Sequence, residues 1–130
     1  MCGGIPTTVD LTRCDLPALT ISAQRQIAKM FGSDLFTSPA FEMLLDLYVN
    51  EDRRPRSITS LTTASSASER NSQRIIYRMV QRGLLTHFRD GNDGRRIIVE
   101  LAPQAVWALD GFFEYLLDGL AKLGSQRETR

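Results

Sequence analysis

Sixteen consecutive residues, Ser68 to Gly83, constrain this chain more than any other stretch: they read as one helix with a start, a stop and two unlike sides. Ser68 is a good N-cap, since its hydroxyl can accept a bond from one of the first free amides of a helix. Glu69 follows in the first turn and Arg82 stands in the last, each on the side that the helix dipole favours. Gly83 can take the left-handed conformation that closes a helix. A rotation of about 100° per residue puts Ser72, Ile75, Ile76, Met79 and Val80 on one arc. Arg70, Gln73, Arg74, Tyr77, Arg78 and Gln81 fall on the other, with Asn71 at its edge. Arg70, Arg74, Arg78 and Arg82 recur every four residues. Like charges at that spacing weaken a helix slightly, so local stability does not explain the stripe. The helix packs by one face and offers its cations to solvent or to a polyanion.

The charge distribution bears on that choice. Ten arginines and three carboxylates lie between Arg53 and Arg96, a local charge of +7 without a single lysine. The rest of the chain holds six basic and twelve acidic residues, so the net charge of +1 conceals a split. Arginine suits bidentate contacts to phosphate and guanine, and a basic segment of this kind is an electrostatic footprint for nucleic acid.

The flanking segments give the helix a setting. Ser57 can cap a short helix from Ile58 to about Ser65, with Ile58, Leu61 and Ala64 inward. Ser65-Ser66-Ala67 then forms a tight connection to Ser68, which makes residues 57–83 a helix-turn-helix. Residues 84–89 and 95–101 read as strands around Asp90-Gly91-Asn92-Asp93-Gly94, a strong hairpin signal. A helix-turn-helix followed at once by an arginine-tipped hairpin is a winged helix. The helix fits a major groove, and the hairpin tip can reach phosphates or a minor groove whose negative potential attracts arginine.

The remainder supplies the core and the ends. Residues 1–17, with Gly3, Gly4, Pro6 and Pro17, read as an irregular arm. A helix with a thin apolar side, Ile21, Ala28 and Phe31, spans about residues 20–31 and is broken by Gly32-Ser33-Asp34. Ser38 as N-cap and Pro39 at the first position start a core helix through Val49, which ends near Asn50-Glu51-Asp52 before an arginine-rich loop, residues 53–56. A last helix, about residues 103–123, carries Phe112, Phe113, Leu116, Leu117 and Leu120, more apolar surface than a small domain covers. With Ile21, Ala28 and Phe31, these residues form the expected interface of a two-fold homodimer built from both ends of the chain. Residues 124–130 read as a frayed tail. The expected fold is thus mainly α with one β-hairpin, a single winged helix-turn-helix domain over residues 18–123 flanked by dimerisation helices.

Taken together, residues 38 to 110 resemble the MarR-type winged-helix transcriptional regulators. The likeness rests on Arg78-Met79 before Arg82-Gly83-Leu84, and on Asp93-Gly94-Arg95-Arg96 followed by Val99-Glu100-Leu101. The sequence departs from the family pattern at Leu101-Ala102, where Leu-Thr is usual, and at Ser72, usually apolar. The resemblance implies a homodimer with interlocked terminal helices, Asp93 orienting the wing arginine and Arg95 entering the minor groove. On this reading the protein is a regulator, by expectation a repressor, of a pseudo-palindromic operator. Arg70, Asn71, Gln73 and Arg74 are the candidates for base edges, and Arg54, Arg56, Thr59 and Arg78 for phosphates; Ser68 is a further DNA-binding candidate. Arg95, with Arg96 beside it, would take the minor groove. A small apolar or aromatic effector between the dimer lobe and the winged helix is a further candidate partner. The rival reading is a winged helix that docks on an acidic protein without specific DNA binding.

Other classes fare poorly. His87 is the lone histidine and sits in a strand, and no phosphate loop, nucleophile elbow or paired carboxylates appear, so no enzyme is expected. Cys2 and Cys14 match no zinc spacing and read as reduced thiols, so no metal or cofactor is expected. With 42% hydrophobic and 24% charged residues the chain is globular in composition, and no apolar run approaches a membrane span. No basic stretch leads into an apolar core at its start, so the expectation is a cytoplasmic protein without a membrane partner.

Overall fold

The computed structural model describes residues 8–32, 37–50 and 53–128, with side chains described between 15 and 124 in those ranges. Among the described residues five helices and three short strands follow in the order α1 (Thr8–Phe31), α2 (Ser38–Val49), β1 (Arg56–Ser57), α3 (Ile58–Thr62), α4 (Glu69–Gln81), β2 (Leu85–Arg89), β3 (Ile97–Leu101) and α5 (Pro103–Glu128). The strands form one antiparallel sheet in the order β1-β3-β2.

α2 enters from Thr37, whose backbone is extended but whose side chain makes no cap bond. The expected cap at Ser38 therefore moves by one residue, and proline stands one place further into the first turn. Ala40, Met43, Leu44 and Leu47 point inward from α2 into the core. They meet Leu61 of α3, Ile76 and Met79 of α4, Leu85 of β2, Val99 of β3 and Leu109 of α5 in one buried cluster. Aromatic rings fasten α2 to α5: Phe41 meets Phe112 edge-on at 5.6 Å, and Tyr48 stacks on Phe113 at 5.3 Å. Such pairs contribute about 0.5–1.5 kcal/mol each beyond the area that they bury.

Both ends of the chain differ from the expectation. Residues 8–17 belong to α1, which continues past Pro17. Proline in a helix interior removes one bond to the carbonyl four residues back, and here the packing of α1 along α5 outweighs that loss. α1 stops at Gly32, whose φ of 91° ends the turn and whose amide bonds Ala28 O. α5 runs on to Glu128 through Gly124, so residues 124–128 are helical rather than frayed. An interior glycine weakens a helix by only about 1 kcal/mol. Residues 1–7, with Cys2, Gly3, Gly4 and Pro6, lie outside the described residues, as do Ser33, Asp34, Glu51, Asp52, residues 129–130 and the side chain of Cys14.

The middle of the chain holds one strand that periodicity does not reveal. Arg56 and Ser57 pair with Val99 and Ile98, so the hairpin gains a third strand at its β3 edge. Two residues carry too little alternation to read as a strand, and β3 alone makes them one. α3 is also shorter than expected, since Thr63 and Ala64 turn onto Ser60 and Leu61 and leave the helical path. The resulting order, a short helix, a turn, a long helix and a hairpin, is a winged helix-turn-helix.

Candidate nucleic-acid interface

α4 is held at both ends by its own sequence. Ser68 Oγ accepts from the amide of Asn71 at 3.3 Å. At the other end Gly83 adopts φ 76°; its amide bonds Val80 O at 3.0 Å, and the amide of Leu84 bonds Met79 O at 2.9 Å. These two bonds form a Schellman motif, closed by the buried pair Met79 and Leu84. The motif also explains why β2 begins at Leu85 and not at Leu84. Ser72, Ile76 and Met79 are buried, with Ile75 and Val80 packed against the core, so the inward arc falls where the periodicity puts it.

The outward arc is accordingly fixed. Arg70, Arg74, Tyr77 and Arg78 are exposed, with Asn71 and Gln73 half-buried beside them. Arg70 and Arg78 make no side-chain bond or ion pair among the described residues. Arg74 is placed differently: its Nε and NH2 reach Asn71 Oδ1 at 3.2 and 2.7 Å.

The hairpin tip is ordered by aspartates acting on backbone. Asp90 Oδ1 accepts from the amide of Asn92 at 2.9 Å, and Asp93 Oδ1 from the amide of Arg95 at 3.1 Å. The amide of Arg96 bonds Asp93 O at 2.9 Å, which makes Asp93–Arg96 a turn, and Asp90 N bonds Arg96 O at 2.9 Å across the base of the loop. The loop therefore spans residues 90–96, and β3 starts at Ile97 rather than Arg95. Asp93 meets Arg95 at the backbone amide and makes no contact with its guanidinium. Arg96 lies 3.8 Å from Asp90 Oδ2, whereas the exposed guanidinium of Arg95 has no partner among the described residues. Arg89 donates to Gly94 O at 2.9 Å and braces the tip from below.

The segment before α3 divides its arginines. Arg54 is exposed. Arg56 turns inward, with Nε 3.0 Å from Asp46 Oδ2 and its two terminal nitrogens toward Ser60 Oγ and Asn50 Oδ1 at 3.4 and 3.3 Å. A guanidinium so engaged is a strut between α2, β1 and α3, which does not suit the phosphate role expected for it. Thr59 is exposed on α3, and Ser57 caps that helix by accepting from Ser60 N at 3.1 Å.

Three residues without a sequence signal form a second polar node. Tyr48 donates to Asp110 on α5, the Arg53 guanidinium lies 4.5 Å over the Tyr48 ring, and Arg53 stands 3.6 Å from Asp110. The hydrogen bond to Asp110 and burial raise the Tyr48 hydroxyl above its ordinary value. Arg53 holds φ 52°, an uncommon conformation for a residue with a side chain. The node ties the loop before β1 to α5.

The expected dimer residues separate into two sets. Phe31 and Phe112 are buried in the chain's own core, Ala28 is half-buried, and Phe113 and Leu116 pack against that core. Ile21, Leu117 and Leu120 remain exposed at 49%, 66% and 44%, joined by Trp107 and Met30, whose exposure has no sequence signal. On α1 the inward face is Ala23, Ile27 and Phe31, so Ile21 faces away from the core.

Solved structures of regulators share this arrangement. A point mutant of Staphylococcus aureus MepR bound to an oligodeoxyribonucleotide superposes with a TM-score of 0.75 at 16% identity, over 94% of this chain and 85% of that one. The fold is the winged helix that these solved regulators share. RV1404 from Mycobacterium tuberculosis matches at a TM-score of 0.69 and 18% identity, over 95% and 84% of the two chains. The transcriptional regulator Tm0710 from Thermotoga maritima matches at 0.66 and 16%, over 88% and 78%. No protein-family profile and no curated protein matches the sequence. Among the described residues no group of three or more His, Cys, Asp or Glu side chains could hold a metal ion, and no helix is long and apolar enough to cross a membrane.

Proposed function

We propose that this protein is a cytoplasmic, sequence-specific DNA-binding regulator of transcription, acting as a repressor. The observation that carries the reading is α4: capped at both ends, anchored by Ser72, Ile76 and Met79, and bearing Arg70, Arg74 and Arg78 on its exposed face. Such a helix enters a major groove with its side chains at base edges. Arg70, Gln73 and Arg74 face the bases; Arg54, Thr59, Ser68 and Arg78 contact phosphates; Arg95 reaches the minor groove. That a MepR mutant sharing the fold was solved bound to an oligodeoxyribonucleotide supports DNA as the partner.

The protein acts as a homodimer through the exposed apolar residues of α1 and α5, Ile21, Leu117 and Leu120. Two-fold symmetry then calls for a pseudo-palindrome with half-sites about one helical turn apart. A cleft of about 330 Å³ lies between α1 and α5, within the terminal helices rather than between them and the winged helix; with Met30, Trp107 and Phe112 in its wall it offers room for a small apolar or aromatic effector.

The test is selection of bound sequences from random double-stranded DNA, followed by affinity measurements across salt concentration. Enrichment of a two-fold site, with affinity that falls steeply as salt rises, supports the reading. Absence of binding at low salt overturns it in favour of docking on an acidic protein.

A further inference from the structure

The contact between Asn71 and Arg74 divides the labour within the recognition helix more sharply than the exposed positions alone do. An asparagine reads adenine by accepting with Oδ1 and donating with Nδ2. Here Oδ1 already accepts two hydrogens, from Arg74 Nε at 3.2 Å and NH2 at 2.7 Å. A carbonyl oxygen has two lone pairs, so this one has no acceptor capacity left for a base. Asn71 is itself held at its backbone, because its main-chain N–H donates to the Ser68 cap at 3.3 Å. It is half-buried at the edge of α4, while Arg74 is exposed one turn further on.

The effect on Arg74 is geometric. A guanidinium is planar with five N–H groups in a fixed fork. Asn71 takes the edge formed by Nε and NH2, one hydrogen from each. The opposite edge, formed by NH1 and the second hydrogen of NH2, keeps two parallel donors. That edge matches guanine O6 and N7, the commonest specific arginine contact in a major groove. A long, otherwise mobile side chain is thereby pre-set for a bidentate contact, which lowers the ordering cost of binding.

We propose that Asn71 is a positioning residue that buttresses Arg74, and that Arg74 selects a guanine at one position of each half-site. The inference rests on the DNA reading above and removes Asn71 from the set of base readers. Arg70 makes no such contact and lacks this pre-setting.

The experiment selects bound sites from random double-stranded DNA with the wild-type protein and with Asn71→Ala, Asn71→Asp and Arg74→Ala, after circular dichroism shows that each variant is folded. Wild type should enrich a guanine at one position per half-site, and Arg74→Ala should lose the preference there. Asn71→Ala should weaken the same preference about five- to tenfold, a partial loss of one bidentate contact, with little change in affinity for random DNA. Asn71→Asp keeps an acceptor for the guanidinium and should restore the guanine. Loss of an adenine at a different position in Asn71→Ala would show that Asn71 reads a base and would overturn the proposal, as would an unaltered base profile. Wild-type enrichment of any two-fold site upholds the DNA reading whatever the variants do, whereas no enrichment by wild type sinks both.

Discussion

Arg56 Nε and Asp46 Oδ2 lie 3.0 Å apart, which joins the strand that leads into the helix-turn-helix to the central helix of the core. Both atoms are shielded from water, and they meet as opposite charges without an aligned hydrogen bond. Removal of one partner leaves the other charge poorly solvated. Asp46→Ala should therefore lower stability by about 1–2 kcal/mol, less than a fully buried pair because both side chains keep some solvent contact. Urea denaturation of the variant and the wild type measures it.

Arg74 and Arg95 should differ in what their loss does. Arg74→Ala should cost about 1–3 kcal/mol on a selected site and relax base preference. Arg95→Ala should weaken specific and random DNA more evenly and flatten the salt dependence by about one unit of slope, if the wing contacts the backbone within the groove. Titration of selected and scrambled duplexes at several salt concentrations separates the two patterns.

Gly83 should resist substitution. Its φ of 76° disfavours any side chain, and an added Cβ would stand 2.7 Å from Gln104 Nε2. That amide donates to Gly83 O, so the clash also displaces a bond between the end of α4 and α5. Gly83→Ala should cost about 1–2 kcal/mol from conformation alone, together with whatever the displaced glutamine adds. Thermal unfolding reads the sum.

The Tyr48 hydroxyl gives a pH dependence with a defined sign. Its hydrogen bond to Asp110, with burial, raises the hydroxyl above the ordinary 10.0. The neutral form is therefore favoured in the folded state, and the stability it contributes is fully present below about pH 9. It is lost as the pH rises through the folded value, because the unfolded chain releases the proton first. Tyr48→Phe should lower stability by about 1 kcal/mol near neutrality, and the gap to wild type should close at strongly alkaline pH. Paired melts from about pH 7 to about pH 11 test this; a gap constant to the upper limit contradicts it.

Leu117 is 66% exposed on α5 in the single chain. If the homodimer forms through this face, Leu117→Glu should shift the protein to monomer in sedimentation experiments and leave its helicity intact. Affinity for a full two-fold site should fall by more than about tenfold, a loss of over about 1.4 kcal/mol, with half-site binding little changed. A variant that stays dimeric would place the interface elsewhere.

The parts legible in the sequence are those whose physics is local. The Ser68 and Ser57 caps, the glycine at the end of α4 and the inward arc of that helix depend on neighbours within one or two turns. The hairpin turn is likewise encoded by Asp90, Asp93 and the glycines around them, and only its length differs from the expectation, because Arg95 and Arg96 close the turn before β3 begins. The Asn71–Arg74 contact also joins residues only one turn apart, but a rotamer choice leaves no mark in composition or period.

Local physics thus suffices for the class of fold and for the identity of the cation-bearing helix, since caps, turns and periodicity act through nearby residues. The other features exist only once the chain has folded back on itself. β1 exists because β3 pairs with it, and Arg56 turns inward because Asp46 and Asn50 stand there to receive it. α1 continues past Pro17 because α5 lies alongside, and Phe31 and Phe112 are consumed by the chain's own core while Ile21 and Leu117 are not. Each of these outcomes depends on residues brought together from distant parts of the chain, where single-helix periodicity carries no information about which apolar face meets which.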